Sequence, residues 1–345
     1  MTHQLLNTLF VTRPDAYVRL ELETLRVEAE GKELLQVPLH HLGSVVLFDT
    51  AMMSPQAMQR CVQDGREVVF LDFAGRFRCR VVGPTSGNAL LRAAQYEAHR
   101  DLIRARDLAR VTVAAKIRNS RQTLLRGARD SRRPEDAQRL SQAAELLAAL
   151  LESLPGQPTL DAVRGIEGQA GAIYFAVFGT LITAPTEAFA FRLRTRRPPR
   201  DRVNALLSFI YSLLAHDCIG AAEGVGLDPQ FGFLHALRPG RPALALDLME
   251  EFRSCFADRL VLSLINLRQV QADDFEVRQE GPTYMLTDDG RRTVLTAYQK
   301  RKQDTVTHDL LKEPTPFGLV PHLQARLLAR HLRGDLDEYP PYLSG

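Results

Sequence analysis

At Gly83-Pro84-Thr85-Ser86-Gly87-Asn88 the hydrophobic rhythm of this 345-residue chain changes, and that change constrains the fold more than any other feature. Before it, short alternating or apolar runs recur at Leu5–Thr12, Tyr17–Glu21, Leu25–Ala29, Leu34–Pro38, Ser44–Phe48, Glu67–Leu71 and Arg76–Val82, separated by Gly, Pro and Asp turn signals. Runs this closely spaced predict a small β domain, a sandwich or split barrel. One helix interrupts them, with Ser54 as N-cap and Pro55 in the first turn, ending near Gln63. From Ala89 the period is helical, near 89–128, 135–154, 160–182, 202–223, 243–267, 289–302 and 318–333. Pro134 opens one helix, Asp201 caps another and Glu223-Gly224 closes it. A strand-like pair, Phe275–Arg278 and Tyr284–Thr287, breaks the helical half. The expectation is an α+β chain: a small β-rich domain over 1–84, then a larger helical domain over 85–345.

A hydrophobic fraction of 45% and a charged fraction of 25% exclude wholesale disorder. No apolar run approaches the roughly 20 residues of a membrane span, and the first residues lack the basic and apolar regions of a secretion signal. Cys61, Cys79, Cys218 and Cys255 show no CxxC spacing, which argues against a zinc ribbon or disulfide framework and fits a reducing cytoplasm. The net charge of +3 hides its make-up: 39 Arg and five Lys. The guanidinium fork suits phosphate. Eleven basic residues face three acids over 100–133, among them Arg104, Arg110, Arg118 and Arg121. A second cluster, FRLRTRRPPRDR, holds Arg192, Arg194, Arg196, Arg197 and Arg200. Such runs are either solvated helix faces or a surface for a nucleic-acid backbone, read by charge and shape.

The nucleotide-binding and hydrolase motifs GxxxxGK[ST], GxSxG and HExxH are absent. Three acid- or His-bearing segments remain. In RGIEGQAGAIYF, Glu167 borders an apolar helical stripe, and Gly165, Gly168 and Gly171 serve either helix packing or the close approach of a ligand. In GLDPQFGFLH, His235 ends a loop between two helices. In PALALDLMEEFR, Asp247 and Glu250 share a face; Asp247 could serve the helix N-terminus, and Glu250 and Glu251 could be a solvated pair. Taken together, Glu167, His235 and Glu250 supply a mixed oxygen and nitrogen set suited to Mg²⁺ or Mn²⁺, with Zn²⁺ also open, for phosphoryl-transfer chemistry.

These segments, with RPPRDRVNALLSFIYSLL between the first two, resemble the CRISPR-associated adaptation integrase (Cas-one) family, in order and with intervals of 68 and 15 residues. LLNTLFVTRPDAYVRLE resembles the family's first strands, and LTDDGRRTVLTAYQKR and QARLLARHLRGDLDEYPPY its closing helices; the detail is most similar to the type I-C branch. The resemblance implies a β-rich dimerisation domain and a helical catalytic and DNA-binding domain. It implies that Glu167, His235 and Glu250 are catalytic and hold one Mg²⁺ or Mn²⁺ ion; some branches have Asp where this chain has Glu250. It also implies supporting roles for Asp247 and Asn204. The implied activity is that of a metal-dependent DNA endonuclease and integrase that joins prespacer 3′-hydroxyl ends to the CRISPR repeat by transesterification. The implied partners are DNA, a second copy of the chain, and the small Cas-two protein in a heterohexamer, without a membrane. Two other readings compete: a non-catalytic DNA-binding scaffold of the same fold, and an unrelated metallophosphodiesterase.

Overall fold

The computed structural model describes residues 8–72, 77–83, 89–184, 187–196, 198–278, 283–308, 310 and 312–344. The β-rich part contains β1 (Thr8–Val11), β2 (Tyr17–Glu21), β3 (Thr24–Ala29), β4 (Lys32–Pro38), β5 (Ser44–Phe48), β6 (Met52–Met53), helix α1 (Pro55–Gln63), β7 (Glu67–Leu71) and β8 (Phe77–Val81). Ser54 caps α1 as expected, its Oγ accepting from the Ala57 N–H at 3.2 Å. The strands form two four-stranded sheets, ordered β1-β5-β7-β8 and β4-β3-β2-β6. Between them lie Leu9, Val18, Leu25, Val45, Leu47 and Val68, with Ala57 and Cys61 of α1. The other face of the first sheet belongs to the helical core. Alternation along β5 and β7 sends Val46, Phe48, Val69 and Leu71 to that side, where Phe48 stacks on Phe209 with ring centroids 6.4 Å apart. The expected boundary at 84 falls outside the described residues.

The helical part contains α2 (Ala89–Arg100), α3 (Leu102–Asp130), α4 (Pro134–Ser153), α5 (Leu160–Val177), α6 (Arg202–Gly224), α7 (Ala243–Glu250), α8 (Arg259–Asn266), ribbon β9 (Phe275–Arg278) and β10 (Thr283–Leu286), α9 (Asp288–Gln303), ribbon β11 (Thr305–Thr307) and β12 (Pro314–Pro316), and α10 (Val320–Leu332). Three continuous helical expectations are corrected. The 89–128 stretch breaks at Asp101, whose Oδ1 accepts from the Ile103 and Arg104 N–H groups (2.9 and 3.1 Å) and so starts a new helix. The 160–182 stretch tightens to a 3₁₀ turn at Phe178–Leu181. The 243–267 stretch is interrupted by a π-helical turn at Arg253–Asp258. The second ribbon is too short to carry a period. Helix α6 is long and apolar enough by composition to cross a membrane, but most of it is buried in this fold.

Candidate active site

Helix α5 begins at Thr159, whose Oγ1 caps the Ala162 N–H at 3.2 Å. Its buried stripe of Val163, Ala170 and Tyr174 turns Glu167 toward a cleft of about 540 Å³. Lys116 and Ser120 of α3, Arg192, Arg194 and Arg196, and Arg253 and Asp258 of the π turn also line this cleft. Gly168 and Gly171 form part of its wall, and a Cβ at either would meet nothing within 4 Å. They keep the wall open rather than seat a neighbouring helix.

Helix α7 and the loop before it meet this cleft through Lys116 and Arg253, which line it and pair with Glu250. Asp247 does not cap its own helix. Its carboxylate, 4% exposed, instead accepts from the backbone N–H groups of Phe233 (2.5 Å), Leu234 (3.0 Å) and His235 (3.0 Å). It also meets His235 Nδ1 at 2.7 Å, which leaves Nε2 facing Glu250 Oε1 at 3.7 Å. A buried carboxylate that takes three amides and an imidazole fixes both the loop and the ring. Gly232 permits this approach, because a Cβ there would stand 2.5 Å from Asp247 Oδ2 and 2.6 Å from the Ala243 carbonyl carbon. Helix α2 supports the loop from outside. Gln95 Nε2 donates to the carbonyls of Asp228 and Phe231 (both 2.8 Å), and His99 Nδ1 lies 2.7 Å from the Gly232 carbonyl.

Glu250 and Glu251 are not a solvated pair; they are 2% and 0% exposed. Burial alone would raise the Glu250 carboxyl, but Arg253, Lys116 and His235 overrule it and hold it at about 2. Arg253 Nη2 lies 3.0 Å from Glu250 Oε1 and Lys116 Nζ lies 2.7 Å from Oε2. The same ammonium pairs with Glu167, so one cation bridges the two acids from α5 and α7. Among the described residues, no three His, Cys, Asp or Glu side chains already surround a single point at metal-binding distance. The donor set nevertheless fits a hard divalent ion. It offers two carboxylates and an imidazole nitrogen beside a position that already takes positive charge, and Glu250 Oε2 is buried without a well-formed hydrogen bond.

The second arginine cluster reaches this cleft and the first largely does not. Arg192 and Arg196 are exposed on its rim. Arg194 is held inward by Asn204 Oδ1 (2.7 Å) and Ser208 Oγ (3.2 Å), its guanidinium 5.4 Å from the Tyr211 ring centre. Asn204 serves this segment rather than the acids. Its amide also receives the Thr195 N–H (2.9 Å) and donates to the Leu193 carbonyl (2.9 Å) and to Asp201 (2.6 Å). Arg200 is exposed, and Arg197 lies outside the described residues. Along α3, Arg104 and Arg118 are exposed, Arg121 is half-buried, and Arg110 is engaged by Asp107 at 3.0 Å and by the Gln157 carbonyl. Farther along, Arg126, Arg132 and Arg133 share a separate cavity of about 860 Å³ with Arg259. The sequence reading missed two site residues, Lys116 and Arg253. Lys116 was counted in a charge run. Arg253 follows Glu250 at the i,i+3 spacing of a helical ion pair, a signal that was present in the sequence.

A family model described as CRISPR associated protein Cas1 matches residues 9–300. A CRISPR-associated endonuclease Cas1 of Moorella thermoacetica is 52% identical over 341 residues, covering 99% of this chain and 99% of that one. Among solved structures, a Cas6-RT-Cas1–Cas2 complex matches with a TM-score of 0.83 at 24% identity, over 98% of this chain and 36% of the longer one. A casposase bound to integration product matches with a TM-score of 0.83 at 23% identity, over 96% of this chain and 92% of that one. At these identities the structural likeness speaks to the fold.

Proposed function

Since the chain belongs to the Cas1 family of CRISPR-associated proteins, we propose that it is a divalent-metal-dependent DNA endonuclease and integrase of CRISPR adaptation. The branch we propose for it is type I-C. The observation that carries this reading is that Lys116 pairs with both Glu167 and Glu250 while His235 Nε2 lies 3.7 Å from Glu250, beside a cleft that Lys116 and Glu167 line and that Arg192 and Arg196 rim. Mg²⁺ or Mn²⁺ held by those three residues would supply Lewis-acid stabilisation of the charge that develops on the phosphoryl oxygens.

The residues of the chain do the rest. The arginines orient the DNA backbone, and His235, locked by Asp247, presents one defined nitrogen toward Glu250. Arg253 keeps Glu250 ionised in a buried place. In the joining step, the 3′-hydroxyl oxygen of the prespacer bonds to a repeat phosphorus while the bond to the resident 3′-oxygen breaks, and the proton released by one hydroxyl matches that gained by the other. The DNA supplies the nucleophile, so the protein needs no Ser or Cys nucleophile. The partners in this reading are DNA, a second copy of the chain through its β-rich domain, and the small Cas2 protein in a heterohexamer, all in the cytoplasm. The solved complexes of similar fold, one with Cas2 and one with an integration product, support it.

A non-catalytic scaffold has no use for two carboxylates beside a phosphate-binding rim. Replacement of Glu167 or His235 by Ala is expected to abolish Mn²⁺-dependent cleavage and strand transfer on branched DNA while DNA affinity stays nearly unchanged. Retained transfer would refute the site.

A further inference from the structure

Residues 339–344, which form neither helix nor strand, lie against α3 and the end of α7, the elements that carry Lys116 and Glu250. Glu251 directly follows Glu250. Its carboxylate accepts from Tyr339 Oη (2.5 Å), the Tyr342 N–H (2.7 Å) and Gln324 Nε2 (3.0 Å). Asn119 lies three residues after Lys116, on the neighbouring face of α3. Its Nδ2 donates to the Glu251 carbonyl (2.7 Å) and the Tyr342 carbonyl (3.0 Å), and its Oδ1 accepts from the Ser344 N–H (2.8 Å). Gln324 of α10 also binds Tyr339 Oη (3.0 Å) and the Pro340 carbonyl (2.9 Å). The Tyr342 ring packs against Phe252 and Phe317 at centroid distances of 5.7 and 5.6 Å.

Glu251, Asn119 and Gln324 are buried side chains that do not line the cleft; their hydrogen bonds end on the α3, α7 and α10 region, on the 339–344 segment and, from Gln324 Oε1, on His308 (2.9 Å). Apolar residues of similar volume would fill this space at lower desolvation cost. What a fully satisfied polar network adds is a single geometry.

We propose that Asn119 and Glu251 are positioning residues: with the 339–344 segment they clip α3 to α7 and so set Glu250 against Lys116, which lines the cleft. This inference rests on the function proposed above. The α3–α7 joint has two ties. The Lys116–Glu250 pair borders the cleft through Lys116, and the Asn119–Glu251 bond lies within one turn of it along each helix. A slip at the Asn119–Glu251 tie carries Glu250 with it, and a misplacement of about 1 Å in an active site can cost on the order of 100-fold in rate.

The test uses the full chain with Asn119→Ala, Glu251→Ala and Glu251→Gln, and with Glu250→Gln as the control. Three readouts are needed: Mn²⁺-dependent cleavage of branched DNA, DNA affinity, and hydrogen exchange of the 243–252 amides. Asn119→Ala and Glu251→Ala are expected to lower kcat by about 10- to 100-fold with affinity within about twofold, and to speed exchange in α7. Glu251→Gln keeps one acceptor oxygen, for the Tyr342 N–H and Gln324 Nε2, and its NH₂ can donate to Tyr339 Oη, so it is expected to restore the rate to within about threefold of the parent. Parent-like kcat in both alanine variants, or loss of affinity and rate in equal proportion, overturns the proposal. If Glu250→Gln itself leaves cleavage intact, the reading of the cleft has failed. In that case exchange decides the clip, and unchanged protection of α7 in Asn119→Ala overturns it.

Discussion

Replacing Lys116 by Met removes the cation that Glu167 and Glu250 share. At 2.7 Å and an effective dielectric of about 20, the attraction between Lys116 and Glu250 is about 6 kcal/mol. Desolvation of the ammonium offsets much of this, but removing one partner of a buried pair typically costs about 3–5 kcal/mol because the other charge is stranded. Here Arg253 still stands 3.0 Å from Glu250, and Glu167 is only partly buried, so the loss belongs at or below the low end, about 2–3 kcal/mol. For a chain of this length that corresponds to a fall in Tm of about 5 °C. The assay is thermal unfolding in EDTA, repeated with Mn²⁺. The variant should melt lower in EDTA and gain more from Mn²⁺ than the parent, because a divalent ion replaces the charge that was removed. Equal melting of variant and parent in EDTA, or equal gains from Mn²⁺, would refute the view that Lys116 holds the place of positive charge between Glu167 and Glu250.

Other expectations follow from the same contacts. Asp247→Asn weakens a carboxylate that holds three amides and an imidazole, and should lower cleavage by about 10- to 100-fold with DNA affinity retained, as measured by single-turnover kinetics. Gly232→Ala drives a Cβ into Asp247 and the Ala243 backbone, so it should cost about 1–3 kcal/mol in denaturant unfolding and release the His235 loop to hydrogen exchange. Burial pushes Glu251 up to about 7 and Asp258 up to about 6, so the folded chain keeps their protons where the unfolded chain has lost them. Stability from these groups is full below their ordinary carboxylate range and is lost as pH rises toward about 7, on the order of 3 kcal/mol for Glu251. Glu250, held at about 2, acts oppositely and contributes above its ordinary 4.5, with that share lost as pH falls toward 2. Melting temperatures at pH 5 and pH 8 should therefore fall with rising pH, and less steeply in Glu251→Gln; a flat profile would refute the assignment.

The parts of this fold that repeat were legible in the sequence. Strands β2, β5 and β7 coincide with their alternating runs, and Ser54, Asp201 and Pro134 mark helix starts through local chemistry alone. Glu167, His235 and Glu250 were legible because each sits in a distinctive local segment. Lys116 was not, because its partners lie 51 and 134 positions away and only packing brings them together. The burial of Glu251 was hidden for the same reason: its partners, Gln324, Tyr339 and Tyr342, come from elements more than 70 residues downstream. Local spacing left a helix-end role open for Asp247, because the loop whose amides it holds folds back from earlier in the chain. The break at Asp101 is a competition that period alone does not reveal, since one carboxylate outbids the continuing helix for two amides.

The π-helical turn at Arg253–Asp258 has a geometric consequence of its own. Within it, Arg253, Ser254 and Asp258 all line the cleft, a six-residue span that an ordinary α-helix would rotate partly out of line. The wider turn behaves as one residue inserted into a helix. Deleting a single residue there would tighten the coil and swing one end about 100° relative to the other. Either Arg253 would leave Glu250, or Asp258 would leave Tyr211, whose hydroxyl it now holds at 2.5 Å. Chain length in these six positions is therefore as much a determinant of the cleft as side-chain identity, and a one-residue deletion here should be far more damaging than a conservative substitution at the same place.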